Sequence, residues 1–318
     1  MNISAAQKML LRKRTAHGFT VIVRWIFLLA LSFILLYPLL YMISGSVKAI
    51  SDFSDPTVTW IPKNYSLDSF ARAAEALNLW PSLKNTLVLE IVSALIEIVT
   101  CSIAAYGMAR FEFRGKKLLM FSMILTILVP EQLTAIPTLL NFRQLDFLGI
   151  LRLIGMALGT ELRPNILDTP LTFYLPSLFA VGLRGGLLIF IYMQFFKGLP
   201  KELEEAAWID GAGPIRTFIK IIVPSSGVVL VTVFLFSFIW HWNDYYLALI
   251  YTLENRPLAV QLYNIFSALS ILGYGQWTYQ AVSAVLAACL IFIAVPLLIY
   301  IILQRKFIQS IDRVGIVG

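Results

Sequence analysis

Six predominantly apolar stretches punctuate the chain, each long enough at about 20 residues to cross a bilayer as a helix. They run at about Trp25–Gly45, Leu83–Ala109, Leu118–Leu139, Leu175–Phe196, Ser226–Leu247 and Ala281–Leu303. Pro130 and Pro137 lie near one end of the third, and Pro296 lies inside the sixth. Proline is compatible with such helices because neighbouring groups satisfy the freed carbonyl. Between them, Ser46–Ser82 carries Trp60, Pro62 and a possible short helix near Leu67–Leu77. Leu140–Tyr174 is a second long connection, its pattern broken by Gly, Pro and Asn. This pattern predicts an all-α membrane protein of six transmembrane helices. Residues 1–24 form an N-terminal segment, residues 25–303 the six-helix domain and residues 304–318 a C-terminal tail. No repeat of 20–50 residues and no similarity between the halves is evident.

Composition agrees: 59% of the residues are hydrophobic and 14% charged, against about 25% charged in soluble domains. The net charge of +7 does not indicate nucleic acid, because the basic residues gather in short segments between apolar runs. One side collects Lys8, Arg12, Lys13, Arg14 and Arg24, the Arg110–Lys117 cluster, Lys197, Lys201, Arg216 and Lys220, and Arg305, Lys306 and Arg313. The other side has fewer, spread over longer segments. The positive-inside rule therefore predicts a multi-pass membrane protein with both termini cytoplasmic. Trp25–Val47 carries no charge and exceeds the usual signal-peptide core, so it reads as an anchored first helix. Cys101 and Cys289 each sit in an apolar stretch, and His17 and His241 have no neighbouring ligand pattern. Neither a disulfide framework nor a metal site is expected.

The most informative polar segment lies between the fourth and fifth stretches. After Pro200, the run Lys201-Glu202-Leu203-Glu204-Glu205-Ala206-Ala207-Trp208-Ile209 starts as a helix should, with acidic residues near the positive end of its dipole. Leu203, Ala206 and Ala207 share a helical face and leave the glutamates largely on another. Gly211 and Gly213 stop this helix, and Pro214 begins a second that ends near Pro224. Residues 198–224 thus form a compact helix–glycine–helix knob. On physical grounds alone it is either a docking element for a partner or an amphipathic hairpin on the membrane surface.

Glu205-Ala206-Ala207, three residues, Gly211, nine residues, Ile221, one residue and Val223-Pro224 match the signature of permeases of bacterial ATP-binding-cassette importers. Val223 stands where that signature has leucine. Ile209-Asp210-Gly211-Ala212 resembles the carbohydrate uptake transporter-1 branch. Ala105–Lys116, Gln194-Phe195-Phe196 and Gln304–Ile311 are also similar, the last to the tail of the maltose-type second permease subunit. The ending Ile316-Val317-Gly318 departs from the more usual Lys-Gly. Leu151–Asn165 resembles an insertion into a loop that is short in the family. The resemblance implies a type I importer permease fold whose cytoplasmic coupling loop docks on an ATPase through Glu205, Ala206, Ala207, Gly211 and Gly213. It also implies a second homologous permease, a dimer of ATPase subunits and an extracytoplasmic sugar-binding protein. No cofactor is expected on this chain; ATP and magnesium belong to the partner ATPase.

Charges inside the spans are costly and usually find partners. Glu90 and Glu97, seven apart, share a helical face, and Arg184 falls at a comparable depth. The expectation is an ion pair between Arg184 and Glu90, with Glu97 next nearest; the alternatives are separate snorkelling or contact with the second permease. Trp240 and Asn243, near the outer end of the fifth stretch, suit an interfacial aromatic belt first, and after that stacking and hydrogen bonding to a sugar. Gly211-Ala212-Gly213 lacks the preceding strand and Gly-Lys-Ser/Thr ending of a nucleotide loop, and no catalytic constellation stands out. The chain thus reads as a sugar importer's permease subunit and not as an enzyme. The alternatives are an ion-coupled secondary transporter built on Glu90, Glu97 and Arg184, and an intramembrane enzyme.

Overall fold

The computed structural model describes residues 5–315. Among them every regular element is helical, apart from one isolated bridge between Lys48 and Tyr65. The order is α1 (Ala5–Ser46), α2 (Ile50–Phe53), α3 (Asp68–Ala76), α4 (Leu79–Arg110), α5 (Lys116–Leu128), α6 (Glu131–Arg143), α7 (Ile150–Leu158), α8 (Leu171–Leu178) and α9 (Gly185–Gly198). Then come α10 (Glu202–Ile209), α11 (Pro214–Thr217), a π-helical turn Phe218–Ile222, α12 (Val223–Ser225), α13 (Gly227–Asn243), α14 (Tyr246–Tyr251), α15 (Leu258–Tyr263), α16 (Ile265–Ile271) and α17 (Tyr279–Gly315). Gln304–Gly315 prolong α17 as helix; Ile316–Gly318 lie outside the described residues.

The six apolar stretches are all helical, but in three different states. His17–Ser46, Leu79–Arg110 and Tyr279–Arg305 are long and apolar enough to cross a membrane alone. The third stretch is α5 and α6, bent by 104° at Val129–Pro130. Proline disfavours helical backbone in the residue before it, and Val129 is extended at φ −79° and ψ 117°. The fifth stretch, α13, is bent by 80° from the helix that precedes it. It ends at Asn243, earlier than its apolar pattern, because Asp244 accepts a bond from Leu247 N (3.1 Å) and starts α14. The fourth stretch is not one helix: it breaks into α8 and the 14-residue α9. Ala180 and Arg184 adopt left-handed backbone at φ 58° and 56° on either side of the break. Hydropathy misses this interruption because Val181-Gly182-Leu183 is as apolar as the helices around it.

The chain divides into two compact units, residues up to 73 with 269–291, and 74–268 with those from 292 onward. In the first, the segment after α1 is tied by buried Asp52, whose carboxylate accepts bonds from Lys63 N (2.8 Å), Asn64 N (2.9 Å) and Asn64 Nδ2 (2.9 Å). Lys48 Nζ donates to Thr59 O at 2.7 Å. The Asn64 amide, above all, holds the Asp52 carboxyl below its ordinary 3.8, with help from Lys63 N. A carboxyl depressed by folding stabilises the fold above its unfolded value and loses that contribution as pH falls through the folded one. Amide-exchange protection at Lys63 and Asn64, corrected for intrinsic rates, is therefore expected to hold at pH 7 and fall below about pH 4. Asp52→Ala should lose it at every pH; a variant as well protected as the parent at pH 7 would refute the assignment.

In the second unit, α4 is the central element. It packs along α9, α13 and α8. One apolar cluster gathers Cys101, Ala105 and Tyr106 of α4 with Leu188, Tyr192 and Phe196 of α9 and Val229 and Val233 of α13. A second joins Leu89 to Phe142, Phe173, Tyr251 and Val260. In lipid such clusters hold helices together by close packing and not by removal of apolar surface from water. These clusters position the polar groups described next.

Candidate functional site

Glu90 and Glu97 do share one face of α4, and both are buried. Their partner is His241, in the last turn of α13. Its Nε2 lies 3.3 Å from Glu97 Oε1 and its Nδ1 lies 3.6 Å from Glu90 Oε2. Glu97 also accepts from Ser177 Oγ of α8 (3.1 Å) and Ser237 Oγ of α13 (2.6 Å). One carboxylate therefore joins three helices. The backbone at the α8–α9 break closes over it: a Cβ on Gly182 would stand 2.1 Å from Glu97 Oε1 and 2.6 Å from Ser177 Oγ. Only glycine leaves room there. A neutral imidazole donates from one nitrogen and accepts at the other. Only the Glu97 contact is a hydrogen bond; Glu90 Oε2 and His241 Nδ1 face each other without a hydrogen-bond partner among the described residues.

Arg184 does not join it. Neither glutamate forms an ion pair with Arg184 within 4.0 Å, which corrects the expected pairing. The guanidinium instead lies over the Trp240 ring, 5.0 Å from its centroid, in cation–π geometry. Trp240 is itself stacked on Phe236 at 5.4 Å. The cause is the helix break: left-handed Arg184 precedes α9 instead of continuing a helix beside Glu90.

Arg184 and His241 line a cavity of about 570 Å³ with Glu131, Thr134, Thr138 and Tyr251. Phe142 and Phe173 add aromatic surface. The cavity lies where α5–α6 bend and α8–α9 break. Irregular backbone at membrane depth is tolerated where protein buries it or where it lines a cavity. Trp240 and Asn243 do not line this space. Trp240 supports Arg184, while Asn243 is exposed and bonds back to Ile239 O at 2.7 Å. Glu131 is one of the charges that the sequence places within or at the edge of an apolar stretch, whereas His241 and Tyr251 are lining groups it does not mark. A chain break beside intramembrane charge was the available signal, and only Gly182 and Gly185-Gly186 hinted at it.

The 198–224 knob forms as two short helices about a glycine turn. Glu202, Glu204 and Glu205 occupy the first turn of α10. Gly211 is left-handed at φ 77°. Its N–H donates to Trp208 O (3.0 Å), and Ala212 N donates to Ala207 O (2.9 Å), the paired bonds of a Schellman cap. Glu205, Ala206, Gly211 and Gly213 are exposed. Ala207 is buried within the chain, so it supports the knob from inside and offers no outer contact. Glu204 is also buried, paired with Arg110 at 3.1 Å. Beside the exposed motif, Ile209, Ile215 and Ile219 are 86%, 77% and 59% exposed.

Residues 97–313 match the family described as binding-protein-dependent transport system inner membrane component. The chain is 30% identical over 293 residues to the osmoprotective compounds uptake permease protein GgtD of Synechocystis sp., covering 89% of this chain and 88% of that one. It is 28% identical to the trehalose transport system permease protein SugB of Mycobacterium tuberculosis, over 89% of this chain and 93% of that one. It is also 28% identical to the melibiose/raffinose/stachyose import permease protein MelC of Bacillus subtilis, over 88% and 91%. Its fold matches a bacterial ABC transporter involved in the import of the acidic polysaccharide alginate, with a TM-score of 0.66, 18% identity and coverage of 96% and 99%.

Proposed function

The chain belongs to the family of inner membrane components of binding-protein-dependent transport systems, and on that footing we propose that it is the permease subunit of an ATP-driven importer for a sugar or oligosaccharide. It is an integral membrane transport component and not an enzyme. A second permease, two ATPase subunits and an extracytoplasmic sugar-binding protein complete the assembly. ATP and magnesium bind in the ATPase. The basic segments put both termini and the knob on the cytoplasmic side.

The observation that carries the reading is the knob. Glu205, Ala206, Gly211 and Gly213 stand exposed on the same short loop as exposed Ile209, Ile215 and Ile219, apolar surface on a polar segment. Such surfaces mark protein contacts. Docked there, closure of the ATPases pulls the knobs and opens the permease pair outward; hydrolysis resets it. The shift requires the knob's contacts to differ in the two states. The sugars for which SugB and MelC are named, trehalose and melibiose, raffinose and stachyose, support the substrate class. The cavity supports it further, since aromatic faces and a few polar groups suit sugar rings and hydroxyls.

The test is reconstitution of the chain with its partner subunits in liposomes. Uptake of the sugar held by the cognate binding protein should require both ATP and that protein. Uptake by this chain alone, without ATP, would instead support a secondary transporter working through Glu90, Glu97 and Arg184.

A further inference from the structure

We infer that the buried Arg110–Glu204 ion pair is the joint through which the α10–α11 knob moves α4, making Arg110 and Glu204 positioning residues for energy coupling. The inference rests on the reading of the knob as the ATPase contact. Arg110 is the last residue of α4 and Glu204 lies in the first turn of α10. Each charge is thus favoured by its own helix dipole, the cation at a C-terminus and the anion at an N-terminus. Their atoms lie 3.1 Å apart, and each side chain is only 5% exposed. Arg110 Nη2 also donates to Leu199 O at 2.7 Å, the residue that follows α9. One guanidinium therefore fastens the end of α4 to the end of α9 and the start of the knob.

Aromatic rings pack around this end of α4. Tyr106 meets Phe111 and Phe196 edge-on, with centroids 5.4 and 6.0 Å away. It also packs against Phe218 at 4.9 Å, in the π-helical turn after α11. Both arms of the knob therefore bear on the same end of α4. Exposed pairs such as Lys116–Glu112, with Glu112 89% exposed, offer no such rigidity. Buried pairs are poor devices for stability alone, since apolar residues of similar volume often serve as well. What this pair supplies is a charge contact, without hydrogen-bond alignment, that is lost when the two helix ends part.

The direction of the linkage follows from α4. Glu204 faces inward while its neighbour Glu205 faces outward, so adjacent residues hold the core and present the outer contact. Further along the same α4, Glu97 is bonded to α8 and α13 beside the cavity. A displacement of the knob is delivered to the helix that ties α8 and α13 together beside the cavity.

The experiment uses the full complex in lipid nanodiscs and in liposomes. Arg110→Met, Glu204→Gln and the exchanged pair Arg110→Glu with Glu204→Arg are compared with the unaltered complex. Each single variant should still copurify with the ATPase and hydrolyse ATP at the basal rate. Stimulation of hydrolysis by the loaded binding protein should be lost, and uptake should fall at least tenfold. The exchanged pair should recover part of both. Normal coupling in the single variants would overturn the inference. So would loss of ATPase copurification in them, which would make the pair purely architectural, or an exchanged pair no better than the singles. If the unaltered complex shows no ATP-dependent uptake, the transport reading fails first, independently of the joint.

Discussion

Glu97→Ala is expected to destabilise the folded chain by about 3–5 kcal/mol, the usual cost of removing one partner from a buried charged pair. The residue is fully buried. Its loss strands the hydroxyls of Ser177 and Ser237 and one nitrogen of His241. Each group left unpaired costs about 1–3 kcal/mol, and α4, α8 and α13 lose their common tie. Glu97→Gln keeps the shape and one acceptor, and should cost markedly less. Thermal unfolding in detergent, followed by the monodisperse fraction after heating, measures both. A Glu97→Ala protein that melts with the parent would show that the network is not structural. His241→Ala should fall between the two, since it frees both carboxylates yet leaves the serine bonds to Glu97 in place.

This network shows where sequence reading stops. The seven-residue spacing put Glu90 and Glu97 on one helical face, and the fold keeps them there. Their partner could not be read, because His241 is brought in by packing of α13 on α4 and no local pattern announces it. Arg184 looked equivalent in depth only while α8 and α9 were one helix. Proline is no better as a guide: the chain breaks before Pro130, yet continues through Pro38, Pro137 and Pro296. A proline permits a break, and the packing around it decides. The knob was far more legible, since Pro200, Gly211 and Pro214 are local signals with local consequences. Even there, burial of Glu204 beside exposed Glu205 depended on Arg110, far upstream. Leu151–Asn165, which resembles an insertion, is partly helical: α7 forms at its start between left-handed Gly149 and Gly159.

Gly211→Val is the second large effect. At φ 77° the backbone is left-handed, where a side chain costs about 1–2 kcal/mol and a β-branched one more. Space is not the obstacle, since a Cβ there would meet nothing within 4 Å. The cost is purely conformational, and relieving it means breaking the Ala212–Ala207 and Gly211–Trp208 bonds that end α10. The chain after Gly211 would then leave at a different angle, taking Pro214, Ile215 and Ile219 away from Glu205 and Ala206. The helical core does not depend on this turn, so the variant should insert and melt like the parent. Its ATPase partner, on the proposed docking, should be lost on purification, with uptake down at least about 5–30-fold, the equivalent of 1–2 kcal/mol. Gly211→Asn should lose much less, because asparagine visits left-handed backbone readily. Equal losses for valine and asparagine would point to a side-chain clash at the docked surface; the opposite order would show that the turn's conformation is not what the ATPase reads.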